Sequence, residues 1–215
     1  QMQQEQLPPR IKVREALSLF ASIYGVDGPP PDLMQAMTIE TIAGKRFDTL
    51  SGGQKRRVSL VLAFMGDPRI VFLDEPTAGL DPEARSALVA VLKDRRDRGL
   101  TVLATLHEVD HAADLADRIL IMARGRVRRE GTVDSLMSTL GADACVVLPR
   151  GTDQAPWQAA GHTQLSPEGA LLVFGDRSNL ERAVQNSPSG RTAVLRPTNL
   201  GDVVTREAQK AEEEK

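Results

Sequence analysis

The sequence predicts an α/β protein with a small α+β unit at its C-terminal end. Two short apolar runs, at residues 70–76 and 100–107, are rich in branched side chains and bounded by Gly or Pro, as strands buried on both faces are. A helical pattern at residues 83–99 joins them, which indicates the strand–helix–strand unit of a parallel sheet. After Gly131, short apolar runs alternate with Gly, Pro and Ser, which indicates the second unit.

Three helices are predicted ahead of the first strand. Apolar residues recur at helical spacing over residues 13–24, and Gly25 is a typical helix end. A second helical pattern covers residues 32–44. The loop at residues 45–54 ends in the start of a third helix, which runs to about Met65 with one apolar face.

The elements after the second strand lead into the C-terminal unit. A helix, a strand and a tight hairpin follow one another between residues 108 and 131. We therefore expect a partial main domain over residues 1–130, a linker helix over 131–143, and an α+β unit over 144–215. The acidic end of that unit is expected to be frayed and solvated.

Composition excludes several classes of protein. The formal net charge of −2 argues against a dedicated nucleic-acid binder, which usually has a basic excess. No apolar run approaches the roughly 20 residues that span a bilayer, so a membrane role would come through a partner. The lone Cys145 cannot form an internal disulfide, which is typical of a cytosolic chain.

The run LSGGQ at residues 50–54 is a candidate phosphate-binding helix start. Ser51 is a good N-cap, and Gly52 and Gly53 remove side chains where a backbone closely approaches a ligand. The helix that follows Gln54 presents free N–H groups and the positive end of its dipole. The alternative for LSGGQ alone is an ordinary Ser-capped, Gly-rich turn.

Paired carboxylates end the first apolar strand. Asp74 and Glu75 lie at its C-terminal end, where ligands bind in open α/β sheets. Neighbouring residues on a strand point in opposite directions, so the two carboxylates are expected to have different roles. The alternative is a strand end whose carboxylates are only solvated.

One further candidate follows each of the two strands. Asp81 precedes Pro82 and is expected to be the N-cap of the next helix, which is a sufficient structural reason for an Asp. His107 directly follows the second strand. The alternative to a functional role for His107 is a neutral histidine whose hydrogen bonds are satisfied within the fold.

These four elements together resemble the ATP-binding cassette (ABC) ATPase family. LSGGQ looks like its signature motif, Asp74 and Glu75 end its Walker B strand, Asp81 lies in its D-loop and His107 is its switch histidine. The resemblance covers roughly residues 3 to 130 with the family's spacing. It implies a P-loop NTPase core, of which this chain would hold the helical signature subdomain and the second half of the catalytic sheet.

The resemblance implies a role for each site residue. Asp74 would help to hold Mg²⁺ through water, and Glu75 would be the general base that polarises the attacking water. His107 would sense the γ-phosphate, and Asp81 would make a dimer contact that helps to align the water. Ser51 and the rest of LSGGQ would bind the γ-phosphate of ATP held by the opposite subunit of a dimer.

The start of the sequence resembles the family's Q-loop. On that alignment Gln3 would be a ligand of Mg²⁺ and water that couples the site to a membrane partner, with Gln1 and Gln4 as competitors and a polar loop as the alternative. No G-x-x-x-x-G-K-[ST] run occurs among the 215 residues. We expect the phosphate-binding loop to lie upstream of Gln1, and the isolated chain to be inactive.

Residues 107–111 also fit H-E-x-x-H, the helix pattern of zinc proteases. That pattern requires both His on a helix that is already under way, and a third ligand downstream. His107 is expected at a strand end, and the sole other histidine, His162, lies in a stretch rich in Pro and Gly. These two points disfavour zinc.

The C-terminal run at residues 191–204 resembles the tail of ABC ATPases that serve ABC-2-type export permeases, with departures at Asn199, Gly201 and Val204. The implied function is MgATP hydrolysis that drives an exporter, at the cytoplasmic face of the membrane. The partners would be a membrane-spanning permease and a second nucleotide-binding domain, without nucleic acid. The alternatives are a non-transport ABC ATPase and a degenerate, non-catalytic cassette.

Overall fold

The computed structural model describes residues 7–106, 109–187 and 192–213, and the chain divides into two compact units, residues 1–108 and 109–215. The first unit contains helices and two parallel strands, and the second contains a hairpin and an antiparallel sheet. The α/β class is thereby confirmed. The domain limits expected after residues 130 and 143 remain predictions.

Helix α1, Val13–Tyr24, begins and ends as its sequence predicts. The backbone N–H of Lys12 donates to the Glu15 carboxylate at 2.9 Å, which caps the N-terminus. Gly25 ends the helix with a φ of 67°, a left-handed conformation that Gly adopts at low cost. Val13, Ala16 and Leu17 are buried along one face.

The helix predicted over residues 32–44 is wrong beyond its first turns. Helix α2, Pro31–Ala36, is followed by a single 3₁₀ turn at Ile39–Thr41. Thr38 lies between them with a φ of 49°, and an α-helix cannot continue through such a residue. The guanidinium of Arg57 donates to the Thr38 hydroxyl at 2.7 Å, so a contact distant in sequence accompanies the break.

A strand–helix–strand unit follows helix α3. Helix α3 covers Gly52–Ala63, and the unit consists of β1 (Ile70–Asp74), α4 (Pro82–Asp97) and β2 (Thr101–Thr105). Strands β1 and β2 pair in parallel, with Ile70 opposite Thr101 and Asp74 opposite Thr105. The predicted parallel arrangement is confirmed.

Only one face of this strand pair is buried. Val71 and Leu73 are buried on that face, whereas Ile70, Phe72 and Leu103 on the other are 57%, 62% and 54% exposed. The expectation of strands buried on both faces is therefore wrong for this chain.

The second unit begins with α5 (Val109–Leu115), β3 (Ile119–Ala123), β4 (Arg126–Gly131) and α6 (Val133–Ser138). Strands β3 and β4 are antiparallel, as the predicted tight hairpin requires. Arg124 and Gly125 make its two-residue turn with φ values of 53° and 72°. Positive φ at both turn positions suits the right-handed twist of a hairpin.

A four-stranded antiparallel sheet completes the unit, in the order β6-β7-β5-β8. Its elements are β5 (Ala144–Leu148), β6 (His162–Leu165), β7 (Leu171–Gly175), α7 (Arg177–Asn186) and β8 (Val194–Pro197). One face packs around Trp157 and Leu180. The other contains Cys145, and burial raises the pKa of its thiol to about 11. Strand β6 was not predicted, because its short run alternates with polar residues.

Helix α8, Leu200–Glu213, packs on α5, α6 and β3 within the second unit. Leu200 and Val203 share a core with Ile121, Leu136 and Leu140. Among the described residues, no helix combines the length and apolar character that crossing a bilayer requires.

Candidate functional site

The start of α3 has the capped geometry that its sequence predicts. The N–H of Gln54 donates to Ser51 Oγ at 3.3 Å, and the N–H of Ser51 donates to Gln54 Oε1 at 3.2 Å. This reciprocal pair is a capping box, which holds the first turn while leaving the N–H groups of Gly52 and Gly53 for another acceptor. Ser51 and Gly52 are exposed, so these groups are accessible.

The two glycines of this motif have different surroundings. A Cβ on Gly52 would meet nothing within 4 Å, which leaves open space for a ligand. A Cβ on Gly53 would lie 2.5 Å from the carbonyl oxygen of Gly79. Gly53 is therefore required by contact with the same chain, whereas the sequence suggested only the approach of a ligand.

Asp74 is the last residue of β1, and a neighbouring strand holds its carboxylate. The hydroxyl of Thr105, at the end of β2, donates to Asp74 Oδ1. Both residues lie at the C-terminal ends of parallel strands, the edge where ligands bind in open α/β sheets. This arrangement places Asp74 where the sequence predicts it.

Glu75 has already left the strand. Its φ is +46°, a left-handed conformation that is unusual for a residue other than Gly. Its N–H donates to the carbonyl and to the hydroxyl oxygen of Thr105, both at 3.1 Å. The expectation that alternation along one strand separates Asp74 from Glu75 is wrong, because this turn sets the direction of Glu75.

Arginines that follow LSGGQ connect α3 to this edge. Arg56 Nη2 donates to the backbone carbonyls of Asp74 and Glu75. The next residue, Arg57, pairs with the carboxylate of Asp81. Helix α3 therefore contacts both ends of the stretch from residue 74 to residue 81.

Asp81 is the N-cap of α4, as predicted. Its Oδ1 accepts the N–H of Ala84 at 2.9 Å, and Pro82 occupies the first helical position. The hydrogen bond from Ala84 and the positive charge of Arg57 lower the pKa of the Asp81 carboxyl. Asp81 is thus ionised at neutral pH and joins α3 to α4.

Two predicted site residues, Gln3 and His107, lie outside the described residues, so their placement stays a prediction. The zinc alternative depends on His107 as well. Among the described side chains, no group of three or more His, Cys, Asp and Glu is placed to hold a metal ion.

Sequence reasoning missed three residues of this edge: Thr105, Arg56 and Arg57. The basic run at residues 55–57 directly after LSGGQ was visible, but its targets lie about twenty positions away. Thr105 could be found only from the register that pairs it with Asp74.

Comparison with known proteins agrees with these elements. The sequence profile of the family described as ABC transporter matches residues 1–78. The chain is 34% identical to the Nod factor export ATP-binding protein I of Burkholderia lata over 213 residues, which cover 94% of this chain and 69% of that protein. The protein of the same name from Bradyrhizobium diazoefficiens is also 34% identical, with the same coverage.

A solved structure is similar as well. The structure of an ATP-binding subunit of an ABC transporter superposes with a TM-score of 0.59 at 28% identity, and the match covers 65% of this chain and 60% of that one. The chain spans about two thirds of the length of the curated relatives that it matches. Members of this family bind ATP and are ATPases that power transport. The chain belongs to the family of ABC transporter ATP-binding proteins.

Proposed function

We propose that this chain supplies the hydrolytic half of one ATP site and the signature half of another in an exporter. The observation that carries the proposal is the edge at which Asp74, held by Thr105, is followed directly by Glu75 in a left-handed turn. The capped start of α3 supports the second half of the proposal. Two such chains would place each LSGGQ motif against the nucleotide of the other.

Glu75 would act as the general base. A carboxylate within reach of the attacking water orients it and accepts its proton as the bond to the γ-phosphate forms. The turn at Glu75 supports this role, since its left-handed backbone takes Glu75 out of strand β1 directly after Asp74. His107 would donate to the γ-phosphate, and Asp81 would contact the opposite subunit.

Asp74 fits a site for Mg²⁺. In phosphoryl-transfer sites this ion is held by one or two carboxylates, water and substrate phosphates. The Thr105 hydroxyl fixes the Asp74 carboxylate at the strand end, and Gln3 would add a second oxygen ligand. When bound, the ion neutralises charge that develops on the phosphate oxygens.

The backbone at the start of α3 would bind the γ-phosphate of the opposite subunit. Its N–H groups and helix dipole favour an anion, and the space beside Gly52 leaves room for one. Ser51, Gly53 and Gln54 would contribute through the capping box and the packing that hold this turn.

The partners we propose are a membrane-spanning permease and a second nucleotide-binding subunit. The names of the relatives support export as the direction of transport, and Nod factor is the cargo that those names give. A peripheral position at the cytoplasmic face of the membrane, through the permease, would follow.

The test is Glu75→Gln in a longer protein in which a phosphate-binding loop precedes this chain. Nucleotide binding should persist, because the shape of the side chain is kept. Hydrolysis should fall by about 10²-fold or more, as expected for the loss of a general base. The variant should also accumulate as an ATP-bound dimer in gel filtration.

Glu83→Gln is the matched control, since Glu83 is exposed on the first turn of α4 and loses the same charge. Its turnover should stay near that of the unchanged protein. Near-normal hydrolysis in Glu75→Gln would remove Glu75 from the proposed role, whereas absence of hydrolysis in the unchanged longer protein would favour a non-catalytic cassette.

A further inference from the structure

The backbone of Glu75 needs support from its surroundings. A φ of +46° is sparsely populated by residues with a side chain, and such a conformation persists only where neighbouring groups over-determine it. The direction of the Glu75 carboxylate depends on this turn, because the side chain leaves the backbone at the same Cα. Whatever fixes the turn therefore also fixes the Cα–Cβ direction from which the carboxylate extends.

Two elements hold the residue from its two ends. On the N-terminal side, the Glu75 N–H donates to the carbonyl and hydroxyl of Thr105 at the end of β2. On the C-terminal side, the carbonyl of Glu75 accepts from Arg56 Nη2, which also donates to the carbonyl of Asp74. The Arg56 contact comes from α3, the helix that LSGGQ starts.

Arg56 is suited to this bridging contact. It is half-buried, and its Nε is buried with no hydrogen-bond partner among the described residues. A guanidinium is a rigid planar fork of donors, whereas a Lys ammonium is a strongly hydrated point charge on a flexible stem. Arg therefore holds two successive carbonyls in one geometry better than Lys can.

Contacts on either side keep Arg56 in register with its target. One turn earlier, Gly53 packs directly against the carbonyl of Gly79, and the following Arg57 pairs with Asp81. Both contacts hold α3 along the segment that contains Glu75. Arg56 consequently has a fixed approach to the two carbonyls.

We propose that Arg56 is a positioning residue that fixes the Glu75 turn and thereby aims the Glu75 carboxylate at the attacking water. This inference rests on the proposed function of Glu75 as general base. It also means that the helix whose N-terminus completes one ATP site holds the base of the other. Displacement of α3 would therefore misalign Glu75 even though its carboxylate is still present.

The experiment compares Arg56→Met, Arg56→Lys, Glu75→Gln and the double variant Arg56→Met/Glu75→Gln in the longer protein that carries a phosphate-binding loop. Arg56→Met should lower kcat by about 10-fold to 100-fold, the range expected for a misplaced catalytic group. The KM for ATP should change by less than about 3-fold, because Arg56 contacts backbone carbonyls of its own chain and the substitution removes no proposed contact to ATP. Arg56→Lys should retain an intermediate kcat.

The double variant separates positioning from general support. Residues that act as a unit are not additive, so Arg56→Met should cause no further loss of rate when Glu75 is already Gln. A merely structural role would lower the rate by the same factor in both backgrounds, and would lower the midpoint of thermal unfolding in parallel. Arg98→Met is the control, because Arg98 pairs only at the surface with Asp94.

Two results would overturn the inference. One is a kcat for Arg56→Met within about 2-fold of the unchanged protein, and the other is an equal loss in the Glu75→Gln background. If Arg56→Met does not fold, a kcat for Arg56→Lys equal to that of the unchanged protein would also overturn the inference. Normal turnover of Glu75→Gln would instead contradict the proposed function, whatever the Arg56 variants do.

Discussion

Gly53 shows how closely the signature turn packs on its own chain. The carbonyl oxygen of Gly79 would lie 2.5 Å from a Cβ at this position, a distance that requires backbone movement. Gly79 itself has a φ of +71°, so its carbonyl lies in a turn that a side chain would strain. Neither the Gly53 backbone nor the Gly79 backbone can therefore move apart at a low cost in free energy.

Gly53→Ala is therefore expected to destabilise the first unit by about 1–3 kcal/mol, the usual cost of overpacking. Gly52→Ala is the matched control, because a Cβ there meets nothing within 4 Å. The free energy of unfolding of Gly52→Ala should differ from that of the unchanged protein by no more than about 0.5 kcal/mol, as for most substitutions at open surface positions. Urea unfolding followed by circular dichroism measures both, and equal stabilities would contradict the close approach.

At the scale of elements, the junction between β8 and α8 is held by one carboxylate. Asp202 is 3% exposed, and it accepts from both Nη atoms of Arg196 at 2.7 and 2.8 Å. Its second oxygen also accepts the N–H of Asn199 at 2.9 Å, while Asn199 Oδ1 accepts the N–H of Asp202 at 3.2 Å. The last strand and the last helix are joined there.

Two departures from the family's C-terminal pattern are explained by this junction. Asn199 makes the reciprocal cap at the start of α8, a role that its short amide side chain suits. A Cβ on Gly201 would approach Asn199 Oδ1 to 3.1 Å, so a small residue accommodates that cap. Nothing in the structure explains Val204 in place of Phe.

Asp202→Ala should lower the stability of the second unit by about 3–5 kcal/mol, because Arg196 would keep a partly buried charge without its partner. Asp134→Ala removes an exposed carboxylate from the first turn of α6 and should have little effect. The midpoints of chemical denaturation compare the two. A loss below about 1 kcal/mol for Asp202→Ala would place the pair among ordinary surface ion pairs.

At the scale of the molecule, the chain combines the paired carboxylates Asp74 and Glu75 with a largely exposed apolar face. Ile70, Phe72 and Leu103 are more than half exposed on one side of the β1–β2 pair. Strands of a parallel sheet are usually covered on both faces. A sheet left in this state favours association through its apolar side.

The 215-residue chain is expected to bind MgATP no more tightly than about 1 mM and to hydrolyse none, since no G-x-x-x-x-G-K-[ST] run supplies contacts to the β- and γ-phosphates. Calorimetry with the purified chain measures this affinity directly. A micromolar dissociation constant at one site per chain would reveal a phosphate cradle among these residues. The chain is also expected to aggregate, which light scattering would detect.

The candidate site could be predicted from sequence only as a set of residues. Ser51, Asp74 and Asp81 were assigned to a cap, a strand end and a second cap, and the structure places them there. The contacts that relate them were not predictable in this way. Arg56 reaches across 18 positions to Asp74, and Thr105 lies 30 positions from Glu75.

The sequence by itself determined most of the order of elements, the helix caps and the place of the carboxylates at a strand end. Each depends on residues within about four positions, where periodicity and capping act. Only the tertiary structure decided the break at Thr38, the left-handed turn at Glu75 and the pairing of β6. The reason is physical: a strand's partner, or an unusual backbone angle, is stabilised by groups that only folding brings together.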